Sequence, residues 1–262
     1  MSSLSDNRML DLGDQQLEYR WIGPRPDAAP TLVLLHEGLG CVALWNDFPE
    51  RLAAATGLGV FLYSRAGYGA SSTIALPRPL SYMDREAKEV LPRVLHAIGF
   101  QRGLLIGHSD GASIATIYAG SVEDHRISGL VLIAPHFFVE DMGLAAIAQA
   151  KVAYESGDLR PRLARWHQNV NAAFEGWNGA WLDPGFRAWD ITDALAYIRV
   201  PVAIIQGVDD QYGTQRQIAV AEEECYCPVE VTLLEGVQHA PPREQPGRVA
   251  QVIAEFAKRT LA

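Results

Sequence analysis

The strongest constraint on this chain is an alternation: short, nearly uninterrupted apolar runs, each followed by an amphipathic stretch. The runs are Thr31–His36 (TLVLLH), Val60–Ser64 (VFLYS), Gly103–Gly107 (GLLIG), Gly129–Ala134 (GLVLIA), Val200–Gln206 (VPVAIIQ) and Val229–Leu234 (VEVTLL). Such runs suit strands covered on both faces, as in a parallel sheet flanked by helices. Between them, Trp45–Thr56, Ser81–Ile98, Ala112–Gly120, Thr214–Glu224 and Arg248–Leu261 read as helices. In the second, Val90, Leu91, Val94, Leu95 and Ile98 fall on one face. Alternating strands and helices imply right-handed crossovers and a mostly parallel, doubly wound α/β sheet. Gln16–Ile22 (QLEYRWI) instead alternates polar and apolar residues, which predicts an exposed antiparallel edge strand.

Residues 136–198 break the rhythm. They show no strand pattern, and four of the six tryptophans lie there: Trp166, Trp177, Trp181 and Trp189. Helix-like pieces are split by Gly157, Pro161, Gly176, Gly179 and Pro184. The expected organisation is a core of residues 1–135 and 199–262 with an inserted helical cap over 136–198. The alternative is ordinary helices whose aromatics only pack against the sheet, and some of these aromatics are expected to do so.

In sheets of this kind ligands bind at the carboxyl ends of the strands, so chemical groups should stand just past the apolar runs. After GLLIG comes Gly107-His108-Ser109-Asp110-Gly111, leading into the helix-like ASIATIYAG. A Gly-x-Ser-x-Gly between strand and helix forces a sharp turn that lifts the serine hydroxyl clear of the sheet. The glycines are needed because the two backbones approach closely. The motif alone is weak; the strand–helix context makes it strong. Ser109 is the expected nucleophile, and a serine hydroxyl needs a base. Of the seven histidines, His239 stands just past VEVTLL on a loop before the final helix. His96 lies on a helix, His125 in a polar turn, and His108, next to the nucleophile, is expected to point elsewhere. The orienting acid should follow an earlier strand, and Asp209 and Asp210 both follow VPVAIIQ. Either can hold the imidazole in its working tautomer; Asp210 is preferred. The chain order Ser109, Asp210, His239 is that of α/β-hydrolases. The first buried strand ends in His36-Glu37-Gly38-Leu39-Gly40, whose backbone N–H, with that of Asp110, would form an oxyanion hole. Candidate pocket residues are Glu37, Leu39, Phe137, Trp166, Trp177 and Trp181. The turn Arg65–Ser71, with Gly67 and Gly69, reads as architectural.

Composition excludes several classes. A net charge of −9 disfavours nucleic acid or an anionic membrane as partner. No run of 18 apolar residues predicts a membrane span, and MSSLSDNRML lacks the apolar region of a secretory signal. The three cysteines, Cys41, Cys225 and Cys227, show no disulfide or zinc spacing and fit free thiols in a cytoplasmic protein. No metal or cofactor is expected. The oligomeric state is left open, a homodimer included.

These motifs together resemble the α/β-hydrolase superfamily, in its capped branch of esterases, C–C hydrolases and haloperoxidase-like members. The resemblance rests on His36–Gly40, Arg65–Ser71, Gly107–Gly111, Gly207–Asp210 and Gly236–His239 and spans nearly the whole chain. It implies Asp210 as the acid, Gly38 as an oxyanion donor and a cap after the sixth strand. Three departures stand out. Glu37 replaces the usual glycine after His36, which would repel an oxyanion unless turned away and makes Leu39 an alternative donor. Asp110 follows the nucleophile, either capping its helix, the preferred reading, or facing the pocket and favouring an amine-bearing substrate. The elbow and histidine turn do not read like those of ring-cleavage C–C hydrolases. The expected function is hydrolysis of a small-molecule carboxylic ester through an acyl-enzyme. The alternatives are C–C cleavage of a vinylogous diketone and a low-turnover binding homologue.

Overall fold

The computed structural model describes residues 8–262. Eight strands form one sheet: β1 (Arg8–Asp11), β2 (Gln16–Ile22), β3 (Thr31–Leu35), β4 (Gly59–Tyr63), β5 (Gly103–His108), β6 (Ile127–Ile133), β7 (Val202–Gly207) and β8 (Val229–Leu234), in the order β1-β2-β4-β3-β5-β6-β7-β8. β3 through β8 pair in parallel, whereas β1–β2 and β2–β4 are antiparallel. β2 is therefore antiparallel as its pattern predicts, but it is not the edge; β1 covers it. β1 has only four residues, RMLD, mostly exposed, and so carries no apolar run to announce it.

The apolar runs bury both faces. Val33, Leu35, Leu105, Leu130, Leu132, Val202 and Ile204 face one core. Leu32, Leu34, Leu104, Ile106, Val131, Ile133 and Ile205 face the other. The second core is closed by α1 (Phe48–Thr56), through Phe48 and Leu52, and by the last helix, through Val249, Ile253 and Phe256. Each such fully buried side chain contributes on the order of 1.5–3 kcal/mol. On the first face lie α2 (Tyr82–Arg85), α3 (Leu91–Ala97) and α4 (Asp110–Ser121). α2 and α3 form one helical run with a π-helical turn at Glu86–Val90. Pro92 lies two residues beyond its end, and a proline, which has no N–H to donate, disturbs the hydrogen bonding of the preceding turn.

Between β6 and β7 come four helices, α5 (Asp141–Ser156), α6 (Leu159–Leu163), α7 (Val170–Trp181) and α8 (Thr192–Leu195), with a 3-10 turn at Pro184–Ala188. Among the described residues this stretch adds no strand, only an isolated bridge between Phe138 and Asp190. After β7 follow α9 (Arg216–Glu224), then β8, α10 (Pro241–Glu244) and α11 (Pro246–Thr260). No helix among the described residues is long and apolar enough to cross a membrane.

Candidate active site

The turn from β5 into α4 follows from its glycines. Ser109 takes φ 52°, ψ −117°, a left-handed conformation that is strained for a serine. A Cβ on Gly107 would lie 2.2 Å from the Gly111 carbonyl oxygen, and one on Gly111 would lie 2.1 Å from that of Leu35. The Ser109 N–H bonds the Ile133 carbonyl at 2.9 Å, so the strained residue still belongs to the sheet ladder.

Two loops at the same rim bring the other groups. His239 Nε2 lies 2.9 Å from Ser109 Oγ, and its Nδ1 lies 2.7 and 2.9 Å from the two oxygens of Asp210. Asp210 also accepts from the Gln206 side-chain amide at 2.7 Å and from the Tyr212 N–H at 2.8 Å. Burial alone would raise this carboxyl, but its bond to His239 and the nearby positive charge hold it below the usual aspartate value. Asp209 is exposed, and its N–H bonds the Val237 carbonyl. The geometry therefore brings together Ser109, His239 and Asp210 and leaves Asp209 outside.

The loop after β3 is clamped from behind. The guanidinium of Arg65, 1% exposed, donates to the carbonyls of both His36 and Glu37. The Arg65 N–H in turn donates to His36 Nε2 at 3.0 Å. Burial, with the Arg65 charge, drives the His36 imidazole well below its ordinary value, so it is neutral. The turn at Arg65–Ser71 thus does more than close a loop: it fixes the carbonyls of His36 and Glu37, which lead directly into Gly38 and Leu39. Neither of those residues' N–H groups has a backbone partner among the described residues, nor has that of Asp110 at the start of α4.

Glu37 lines the site wall, one oxygen 3.5 Å from His108 Nδ1. Burial opposes its charge, but the His108 imidazole outweighs it and holds the carboxyl down to about 2. His108 is not turned away from the site: its Nε2 lies 2.7 Å from the His239 carbonyl oxygen. Asp110 likewise departs from the preferred expectation. It makes no helix cap; its carboxylate is 1% exposed and accepts from Tyr82 Oη at 2.5 Å and Trp181 Nε1 at 3.2 Å. Burial raises it, while Arg65, the Tyr82 bond and Arg78 pull the other way.

Two cavities meet at His239. An inner one of about 110 Å³ is lined by Ser109, Asp110, Gly38, His136, Trp177 and Trp181, with Ile147 and Gly143 from α5. An outer one of about 370 Å³ is lined by Trp45, His108, Leu163, Trp166, Arg162 and Arg243 among others. Glu37, Leu39, Tyr212 and His239 border both. Of the candidate pocket residues, Trp177 and Trp181 face the inner cavity, while Trp166 reaches only the outer one. Phe137 lines neither: it is fully buried in the core, because its backbone N–H is tied down to Gln217 Oε1 at 2.8 Å. Sequence reasoning missed His136, His167 and Tyr82. His167 bridges the loops, accepting from the Gly69 N–H at 3.0 Å with its other nitrogen 3.1 Å from the Leu39 carbonyl. No motif marks any of the three.

Fold, strained elbow and relay define one class, and comparison agrees. Residues 32–252 match the model of the alpha/beta hydrolase family. The chain belongs to that family and is by class a hydrolase. It is similar to proline iminopeptidase of Lactobacillus delbrueckii subsp. lactis, 24% identical over 241 residues, covering 78% of this chain and 82% of that protein. Its fold is similar to that of proline iminopeptidase from Mycobacterium smegmatis (TM-score 0.74, 18% identity, 97% and 98% of the two chains). The enol-lactonase of Burkholderia xenovorans shares the fold too (TM-score 0.73, 20% identity, 96% and 100%).

Proposed function

We propose that this chain cleaves a carboxylic ester, or a related acyl bond, of a small and partly apolar substrate through an acyl-enzyme on Ser109. The observation that carries the reading is the unbroken relay from Asp210 through His239 to Ser109, with bonds of 2.7 and 2.9 Å. His239 takes the hydroxyl proton at Nε2 as Ser109 Oγ attacks the acyl carbon. The oxyanion is held by the N–H of Asp110 and that of Gly38, with Leu39 adjacent; losing one such donor typically costs about 3–4 kcal/mol. The imidazolium passes its proton to the leaving alcohol. Water then attacks the acyl carbon as His239 takes its proton, and the imidazolium returns that proton to Ser109 Oγ as the acid departs. Asp210 stays ionised and holds the tautomer.

The leaving group must depart past Nε2, toward the outer cavity that borders His239. The acyl part then occupies the inner cavity of about 110 Å³. We read residues 136–198 as a cap, since α5 and α7 wall that cavity with Ile147, Trp177 and Trp181. A second reading, favoured by the proline iminopeptidase relatives, gives the acyl group an amine; the buried Asp110 carboxylate at the cavity wall supports it.

A panel of 4-nitrophenyl esters from acetate to octanoate, with prolyl 4-nitroanilide and a ring-cleavage diketone alongside, tests these readings. Short esters should turn over fastest, and Ser109→Ala should lower kcat on the order of 10⁶-fold with the fold intact. Unchanged turnover in Ser109→Ala would end the serine assignment. Faster turnover of the anilide would favour the amine-bearing substrate.

A further inference from the structure

The glutamate that interrupts the loop after β3 and the histidine beside the nucleophile stand far apart in the chain yet meet behind His239. We propose that Glu37 and His108 form a charge-compensated positioning couple that fixes the main chain of His239 and keeps the Glu37 carboxylate from opposing the oxyanion. The inference rests on the serine-hydrolase reading above.

His108 closes β5, one residue before Ser109, and is 5% exposed. Its Nε2 faces a carbonyl oxygen, that of His239 at 2.7 Å, which can only accept. Nε2 therefore carries a proton and donates it. Nδ1 faces Glu37 Oε2 at 3.5 Å, which favours a second proton there. Burial opposes the imidazolium, but Glu37 and the His239 carbonyl outweigh it and raise His108 above its ordinary value. The charged or titratable groups near the couple include the His239 ring, 5.4 Å from that of His108, Asp210 and His136, with His36, Arg65, His167 and Cys41 near Glu37. Arg162, Tyr212, Arg243 and Glu244 line the outer cavity that Glu37 and His108 share. Trp45 presents an aromatic contact at 6.3 Å.

Each member alone would impede the reaction. A lone carboxylate on this loop repels negative charge growing on the acyl oxygen. A lone imidazolium repels the one His239 becomes when it takes the Ser109 proton. Together they cancel, and the bond to the His239 carbonyl remains. The pairing also explains how a carboxylate is tolerated on this loop. It is folded back over Gly40, where a Cβ would lie 2.3 Å from Glu37 Oε2.

The test is a double-substitution cycle on the full chain: His108→Gln, Glu37→Gln and the pair, with Ser109→Ala as control. 4-Nitrophenyl acetate hydrolysis is followed from pH 5 to 9, with active sites counted by a fluorophosphonate label on Ser109. Glutamine at 108 keeps an N–H for the His239 carbonyl but leaves Glu37 uncompensated. His108→Gln should therefore lower kcat/KM about tenfold and move its acid limb up by about one pH unit. Glu37→Gln should move the limb down. The double variant should return the limb and regain most of the lost rate, a coupling that independent structural effects do not produce. Limbs that stay in place, or a double variant as slow as His108→Gln, would overturn the couple. Turnover surviving in Ser109→Ala would instead overturn the serine reading beneath it.

Discussion

Asp210→Asn is the sharpest probe of the relay, because every neighbour of that carboxylate is a donor. Oδ1 receives Tyr212 N–H at 2.8 Å, Oδ2 receives the Gln206 amide at 2.7 Å, and both face His239 Nδ1. An asparagine amide brings two hydrogens into this set, and one orientation accommodates them. The carboxamide oxygen stays on Tyr212, the nitrogen takes the Oδ2 position, and Gln206 rotates to present its own oxygen, which is buried without a partner in the native site. The fold therefore survives. The introduced amide now donates to His239 Nδ1, so the imidazole proton moves to Nε2 and points at Ser109 Oγ. An N–H cannot accept the hydroxyl proton. A wrong-tautomer histidine of this kind lowers kcat about 10⁴-fold, about 5.4 kcal/mol at 1.36 kcal/mol per decade. Asp209→Asn alters an exposed side chain and should stay within about twofold, in keeping with surface substitutions. Initial rates on 4-nitrophenyl acetate, with urea midpoints to confirm folding, read both variants. A folded Asp210→Asn enzyme within tenfold of wild type, or a larger loss in Asp209→Asn, would refute the reasoning.

Burial, reinforced by the charge of His239, drives His136 down to about 3. Between there and about 6.5 the unfolded chain binds a proton at this residue that the folded chain does not, so stability rises with pH over that window. It is lost as pH falls, at about 1.4 kcal/mol per unit. His136→Asn should flatten the urea stability profile between pH 6.5 and 5 by about 2 kcal/mol; an unchanged slope would contradict the assignment. At the elbow, a methyl on Gly111 meets the Leu35 backbone. Gly111→Ala should therefore cost about 3 kcal/mol or more and lower Tm by at least ~6 °C, with a shift under 2 °C counting against the steric argument.

Much of this was legible because the responsible signals are local. The parallel strands are apolar runs, the elbow is a glycine-bracketed serine after one of them, and His239 follows the last. Their positions along the chain already placed them at one rim. What stayed hidden depends on contacts between distant segments. β1 has four mostly exposed residues, and it emerges only as the partner of β2. Asp110 reads as a helix cap because such residues commonly are caps; Tyr82 and Trp181, 28 and 71 positions away, turn it toward the cavity. His108 looked idle for the same reason, since its partners lie 71 residues before it and 131 after it. The sequence offers no physical ground for choosing between Asp209 and Asp210, whereas in three dimensions burial separates them at once.

The indole of Trp177 rests where a Gly38 side chain would be, with its Nε1 2.1 Å from the position a Cβ would take. Two distant parts of the chain thus share one small volume, and neither can shift without the other noticing. The space beside the Gly38 main chain is therefore set by where α7 holds Trp177.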